Sequence, residues 1–271
     1  MPDLRIIRER DSHIRRIVEE FMPLALEFTA RGSLPKTSGV FLSFVASTEF
    51  IKDGILDLAE TENVYASKIL FRSLIEHFLR FHYLWFRVLA EKSDAAAEEY
   101  LKQGSIKEAL QVGRSWKRVA KNLGRDSGVT LHDALRDVLK EEIAGLSNKE
   151  IDQQASQFEY ARMIEYIFEK VKWSNDEDIP FVLKFIPNYS DLSCFVHGAP
   201  GAMSIMRNLE GQGQLTTDLI NMAELAFDMA GTVKMFSLLT FCQYDKQFSS
   251  PYLKISKLLR PEANNPSAKT P

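Results

Sequence analysis

Only two cysteines occur in the 271 residues, Cys194 and Cys242, far apart and in no C-x-x-C pattern. That argues against a disulfide framework and a thiolate zinc cluster, and fits reduced thiols in an intracellular protein. No uncharged apolar run reaches the roughly 18 residues that a membrane helix needs. The most apolar stretch, Phe78 to Leu89, is broken by Arg80, His82 and Arg87. Met1 to Arg16 is charged throughout and lacks the apolar region of a secretory signal. A cytoplasmic protein without membrane attachment is therefore expected. No G-x-x-x-x-G-K-[ST] loop is present, and Gly211-Gln212-Gly213 reads only as a turn. Neither E-x-x-H nor H-E-x-x-H occurs, so no metal and no cofactor are expected. The net charge of -3 does not advertise a nucleic-acid partner, although a local basic groove can sit in an acidic protein.

Alternating strand patterns are essentially absent, while apolar residues at helical spacing recur through most of the chain. The pattern predicts an all-α, multi-helix bundle around a long central apolar helix. The 45% of hydrophobic residues suffices for a sizeable core. Helices are expected over Asp11 to Ala30, Gly39 to Glu60 and Glu62 to Glu91. Ser93-Asp94 offers an N-cap for a fourth helical region, with a break at Gly104-Ser105 before Ile106 to Leu123. A turn at 124–128, a short helix from Leu131 to Ile143, and a helix capped at Asn148 and reaching Lys172 follow. Phe158, Met163, Ile164, Ile167 and Phe168 should be its inner side. Trp173 to Asp178 reads as a loop, and Phe181 to Ile186, between Pro180 and Pro187, as an ordered connection. A short helix over Asn188 to His197 and a long one over Thr216 to Tyr244 complete the set. Residues 1–260 form one helical domain on this reading, with its core in about 11–91 and 188–245. A more polar helical segment spans about 94–172, and the tail 261–271 is expected to be disordered.

The third helix carries charges four apart: Lys68, Arg72, Glu76 and Arg80. Steps of four keep these side chains on one slowly drifting ridge. The rest of that helix is apolar on most sides, so the ridge should face the protein interior or an interface. A charge there needs partners. An arginine held in an apolar cleft is a planar, preorganised anion binder. His77 lies about 140° round from Arg72 on a straight helix. His197 ends the later short helix, in which Tyr189, Ser193, Val196 and His197 share one side. Tyr189 and Ser193 are natural partners for Arg72 and Glu76. Either histidine could serve as general acid and base. The ridge can equally be an internal network that fixes helix register.

Arg72-Ser-Leu-Ile-Glu76, together with Tyr189-Ser-Asp-Leu-Ser193-Cys-Phe-Val-His197-Gly198, resembles a bacterial helical family known as domain of unknown function 5677. The resemblance covers about Phe41 to Arg87 and Tyr189 to Tyr244. A more distant similarity is to the HEPN superfamily of helical nucleases, whose hallmark R-x(4-6)-H is met by Arg72 and His77. Ser73 departs from the polar Asn, Asp or His usual after that arginine. The resemblance implies a metal-independent endoribonuclease or RNA-binding effector of toxin-antitoxin or anti-phage systems. Arg72 would bind phosphate and His77 or His197 would handle protons. Glu76 would orient them, and Tyr189, Ser193, Lys68 and Arg80 would contact substrate. A homodimer and a partner protein from the same operon are expected with it. The competing expectation is a non-catalytic interaction or scaffold protein whose Arg72-Glu76 network is structural. A small-molecule or nucleotide sensor using the same cleft also fits the residues.

Overall fold

The computed structural model describes residues 3–125, 128, 130–140, 143–156, 158–171 and 179–259. Among these, eleven α-helices and two 3-10 turns occur and no strand. The expected loop at Trp173–Asp178 and the expected tail at 261–271 both fall entirely outside the described residues.

The first three helices are α1 (Leu4–Arg31), α2 (Pro35–Glu60) and α3 (Val64–Glu91). α1 starts a full two turns before the expected Asp11. The Asp3 carboxylate accepts from the Arg5 backbone N–H and caps it, and Ile7, Asp11 and Ile14 face the core. α2 starts with Pro35 in its first turn, where the missing N–H costs nothing. α3 is capped by Asn63, whose side chain accepts from Ala66 N–H.

Asp94 was expected to cap the helix that follows it. It instead reaches back to α2, accepting from the Lys36 and Thr37 backbone N–H groups at 3.0 and 2.8 Å. Two otherwise orphaned donors of α2 thus outbid its own helix, where Asp94 makes no capping bond. That helix, α4 (Ala95–Asn122), runs unbroken through Gly104-Ser105. Gly104 weakens a helix without stopping it.

The stretch expected as one helix from Asn148 is two, α6 (Asn148–Ala155) and α7 (Tyr160–Val171), after a short α5 (Leu131–Leu139). The N-cap of α6 is Ser147, in a reciprocal capping box with Glu150, so Asn148 is the first helical residue. Phe158, Met163 and Ile167 are buried, whereas Phe168 is 47% exposed, on the outer side of α7. A 3-10 turn at Phe181–Lys184 leads into α8 (Phe185–Val196). Gly198 takes φ +61°, a left-handed conformation that ends α8 and suits glycine. Two helices had no counterpart in the sequence reading: α9 (Pro200–Gly211) and α11 (Ser249–Leu259), which flank the long α10 (Leu215–Cys242).

α2, α3 and α10 pack pairwise on one another and form the centre, with α1 and α11 on one side. α3 also meets α4, α7 and α8, which makes it the central helix of the bundle. α10 is long and apolar enough to cross a membrane, but 67% of that stretch is buried against other helices, as in a core helix. Ile106, Leu110, Leu135, Ile143 and Ile151 form a small second core under α4, α5 and α6. The middle segment is therefore joined to the main core at both ends, through Ala96, Ala97, Phe158 and Met163, and has a core of its own between.

An ionic cluster sits between α1, α2 and α10. Lys52 and Lys234 are almost wholly buried. Lys52 Nζ bonds Asp11 and lies 2.8 Å from Glu49 and 3.3 Å from Asp53, while Lys234 bonds the other Glu49 oxygen. Arg15 closes the group on Asp53 at 2.8 Å. Burial alone would raise the Glu49 carboxyl, but Lys234 and Lys52 beside it draw it down to about 2. Asp11, Glu49 and Asp53 lie close enough together to hold a metal ion. The Lys52 ammonium, within bonding reach of all three, stands where such a cation would sit.

Candidate functional site

The ridge on α3 divides between two sets of partners. Lys68 turns toward α10 and pairs with Asp218 at 2.6 Å. Arg72, Glu76 and Arg80 make a separate cluster. One Arg72 nitrogen donates to Glu76 at 2.8 Å and another to the Tyr189 hydroxyl at 2.7 Å, with the guanidinium lying over the Tyr189 ring. Arg80 donates to the second Glu76 oxygen. The four-residue spacing brings these three together along one helix face. The apolar remainder of α3 holds the face inward, so that Arg72 keeps only 18% of its side-chain exposure.

α8 supplies Tyr189, and α7 supplies Tyr160, whose ring stacks on Tyr189 at 4.1 Å and 14°. The Tyr160 hydroxyl donates to the Ile186 carbonyl at 3.1 Å. Burial, with the neighbouring Tyr189, pushes the Tyr160 phenol up to about 12, and burial together with Glu76 raises Tyr189. Both phenols therefore stay protonated at neutral pH. Nothing in the sequence pointed to Tyr160; a tyrosine opening a helix has no local signature of a stacking partner.

The remaining expected site residues stand apart from this cluster. Ser193 is half-buried and spends its hydroxyl on the Tyr189 carbonyl at 2.9 Å. His197 lies exposed at the end of α8. His77 leaves α3 on another side, toward α2 and α4. Its Nδ1 sits 2.9 Å from the Ser73 carbonyl, which can only accept, so Nδ1 is the donor. Its ring packs edge-on against Phe44. His77 lines a cavity of about 360 Å³ with Ser43, Phe44 and Tyr100, among others. Within one chain the structure thus brings Arg72, Glu76, Arg80 and Tyr189 together and leaves both histidines outside.

Glu76 and Arg80 also line a cavity of about 350 Å³, closed by Tyr100, Gln103, Lys107 and Gln111. Two guanidinium groups share a single carboxylate at its edge. Arg72, Arg80 and Glu76 together carry one net positive charge in a half-buried place, and Lys107 and Glu108, which both line the cavity, offset one another. The Nε atoms of Arg72 and Arg80 are buried without a hydrogen-bond partner among the described residues. Orphaned buried donors cost about 1–3 kcal/mol each, so the cluster is poorly optimised as a purely structural network. Glu76 is committed to two cations. The arrangement can hold an anion and stack a ring; it holds no imidazole of its own chain.

The model of a family of unknown function, DUF5677, matches residues 40–214. The chain belongs to this family. The match takes in Arg72-Ser-Leu-Ile-Glu76 and the motif from Tyr189 to Gly198. It also runs through the middle segment, which the sequence resemblance had left out, and ends before α10, which that resemblance had included. The DUF5677 match thus contains every member of the Arg72 cluster, Tyr160 included. No curated protein and no solved structure matches the chain.

Proposed function

We propose that the protein is an RNA-binding helical effector of HEPN-like type, which grips the phosphodiester backbone through Arg72 and Arg80. The observation that carries this reading is the pair of guanidinium groups sharing one carboxylate beside a polar cavity, an arrangement with charge and donors to spare for a phosphate. The Tyr160 ring supports it through the face turned away from Tyr189, since aromatic faces favour unstacked bases. The proposal extends to metal-independent cleavage, in which a 2′-hydroxyl loses its proton and attacks the adjacent phosphate, the bond to the 5′-oxygen breaks to leave a 2′,3′-cyclic phosphate and a protonated 5′-hydroxyl, and Arg72 stabilises the charge of the transition state. That step needs an imidazole beside the phosphate, and in this reading a second copy of the chain supplies it from His77 or His197 in a homodimer. A cytoplasmic defence role with an operon-encoded partner protein belongs to the same proposal.

The test compares wild type with Arg72→Ala, Arg80→Gln, His77→Ala and His197→Ala. Growth of the expressing host, binding of single-stranded RNA and cleavage of total RNA in EDTA are measured. Loss of RNA affinity in both arginine variants is expected, with loss of cleavage in one histidine variant and no loss of its binding. Wild-type protein that neither binds nor cleaves RNA at low salt would sink the reading. A second reading, a non-catalytic scaffold, draws on the two Arg72 terminal nitrogens already bonded to Glu76 and Tyr189. It expects Arg72→Ala to lower the melting temperature and change nothing else.

A further inference from the structure

Arg8, Arg15, Arg72, Arg80 and Arg87 each pair with a carboxylate. The second half of α4 is different. Lys107, Arg114, Lys117, Arg118, Lys121 and, just past the helix, Arg125 face one acid, Glu108, over the same described stretch of sequence. All six cations are exposed, and Arg114, Lys117, Arg118 and Lys121 form no ion pair among the described residues. A cation in the last turn is favourable to the helix C-terminus, which accounts for Lys121 but not for Arg114, two turns earlier.

At about 100° per residue, Lys107, Arg114, Lys117, Arg118 and Lys121 fall within an arc of about 100°. They form a ridge about 21 Å long at 1.5 Å per residue. The ridge begins at the cavity beside the Arg72 cluster, because Lys107 lines that cavity together with Arg80. In a chain of net charge -3, such a concentration of unanswered positive charge is a local feature rather than a general one.

We propose that this face of α4 is a track for the backbone of single-stranded RNA, leading to or from the cavity at Arg80. The inference rests on the RNA-binding reading above and extends it from one phosphate to several. Charge complementarity fixes the occupant as a polyanion. The continuity of the ridge with the cavity at Arg80 makes RNA the occupant we commit to. Val112, Trp116, Val119 and Leu123 are exposed on the opposite side of α4. An apolar seam opposite a basic face is also the pattern of a helix lying in a membrane surface, and the vesicle measurement below tests that rival.

The experiment measures binding of a fluorescein-labelled oligouridylate to the full-length protein between 50 and 200 mM salt. Wild type is compared with the combined variant Arg114→Gln, Lys117→Gln, Arg118→Gln, Lys121→Gln and, separately, with Arg80→Gln. Each phosphate contact on a single strand contributes about 0.7 to the slope of log K against log salt. The combined variant should lose about 2 to 3 units of slope with an unchanged melting temperature, since all four side chains are exposed. An unchanged slope in the combined variant, with binding lost in Arg80→Gln, overturns the track and leaves the Arg72 site standing. A reduced slope in the combined variant with Arg80→Gln unaffected keeps the track and overturns the site. Binding of wild type to phosphatidylserine vesicles but not to the oligonucleotide overturns both.

Discussion

Packed among Phe78, Phe81 and Phe236, His82 is held neutral. Burial drives its imidazole down to about 4, against a weaker opposing pull from the Phe78 carbonyl. Between pH 6.5 and 4 the unfolded chain takes up a proton that the folded one refuses. The stabilisation is fully present above about 6.5 and is lost as pH falls through 4. Melting temperatures across that window should drop steeply in wild type, by about 3 kcal/mol in free energy. A His82→Phe variant should show a shallower decline; equal slopes would refute the assignment. Glu49 adds to the same acid limb at lower pH, because its depressed carboxyl gives stability that is present above 4.5 and fades toward 2.

The ridge from Lys68 to Arg80 was legible at this scale, since spacing and an apolar surround are both local. So was the separation of His77 from Arg72, which follows from helical geometry alone. The ionic cluster of Asp11, Lys52, Glu49 and Lys234 was not. Glu49 and Lys52 are neighbours by spacing on α2, but Asp11 on α1 and Lys234 on α10 become their partners only through the arrangement of the three helices.

Between elements, that cluster is a strong joint. Lys234→Met should destabilise the protein by about 3 kcal/mol, because Glu49 loses one of its two closest cations in a buried place. Adding Glu49→Gln should cost less than the sum of the two single changes, and a strictly additive double-mutant cycle would show that the pair is not coupled. Gly104 offers a contrary case. It lies inside α4 with nothing within 4 Å of where a Cβ would be. Gly104→Ala should therefore stabilise the protein by about 0.5–1 kcal/mol in chemical denaturation. A loss of stability would mean that the cavity it borders needs the space. The sequence suggested a break there because glycine is a poor helix former, but the tertiary contacts of Ala96, Ala97, Ile106 and Leu110 carry the helix through. Asp94 shows the same logic: a capping residue was visible, and which helix it caps depended on a neighbour 57 residues away.

At the scale of the molecule, fold class was readable because helical periodicity repeats over long stretches. The two missed helices, α9 and α11, are short and begin within Pro- and Ser-containing connections. The two cores differ greatly in size, so local stability should differ as well. Amide hydrogen exchange should be slowest in α2, α3 and α10, and fastest among the helices in α5, α6 and the second half of α4. Uniform protection would contradict a satellite core held by five buried side chains.

The family match ends at residue 214, one residue before α10 begins. Yet α10 fills the space between α2 and α3, and its Lys234 completes the charge balance around Glu49. In this chain, therefore, the matched stretch leaves out the helix that covers α2 and α3. A fragment cut at 40 and 214 would lose α1, α10 and α11. It would expose the inner faces of α2 and α3, strand Lys52 without Asp11, and accumulate as insoluble protein. Any relative that keeps only the matched stretch has to cover those two faces with some other segment or with a second polypeptide.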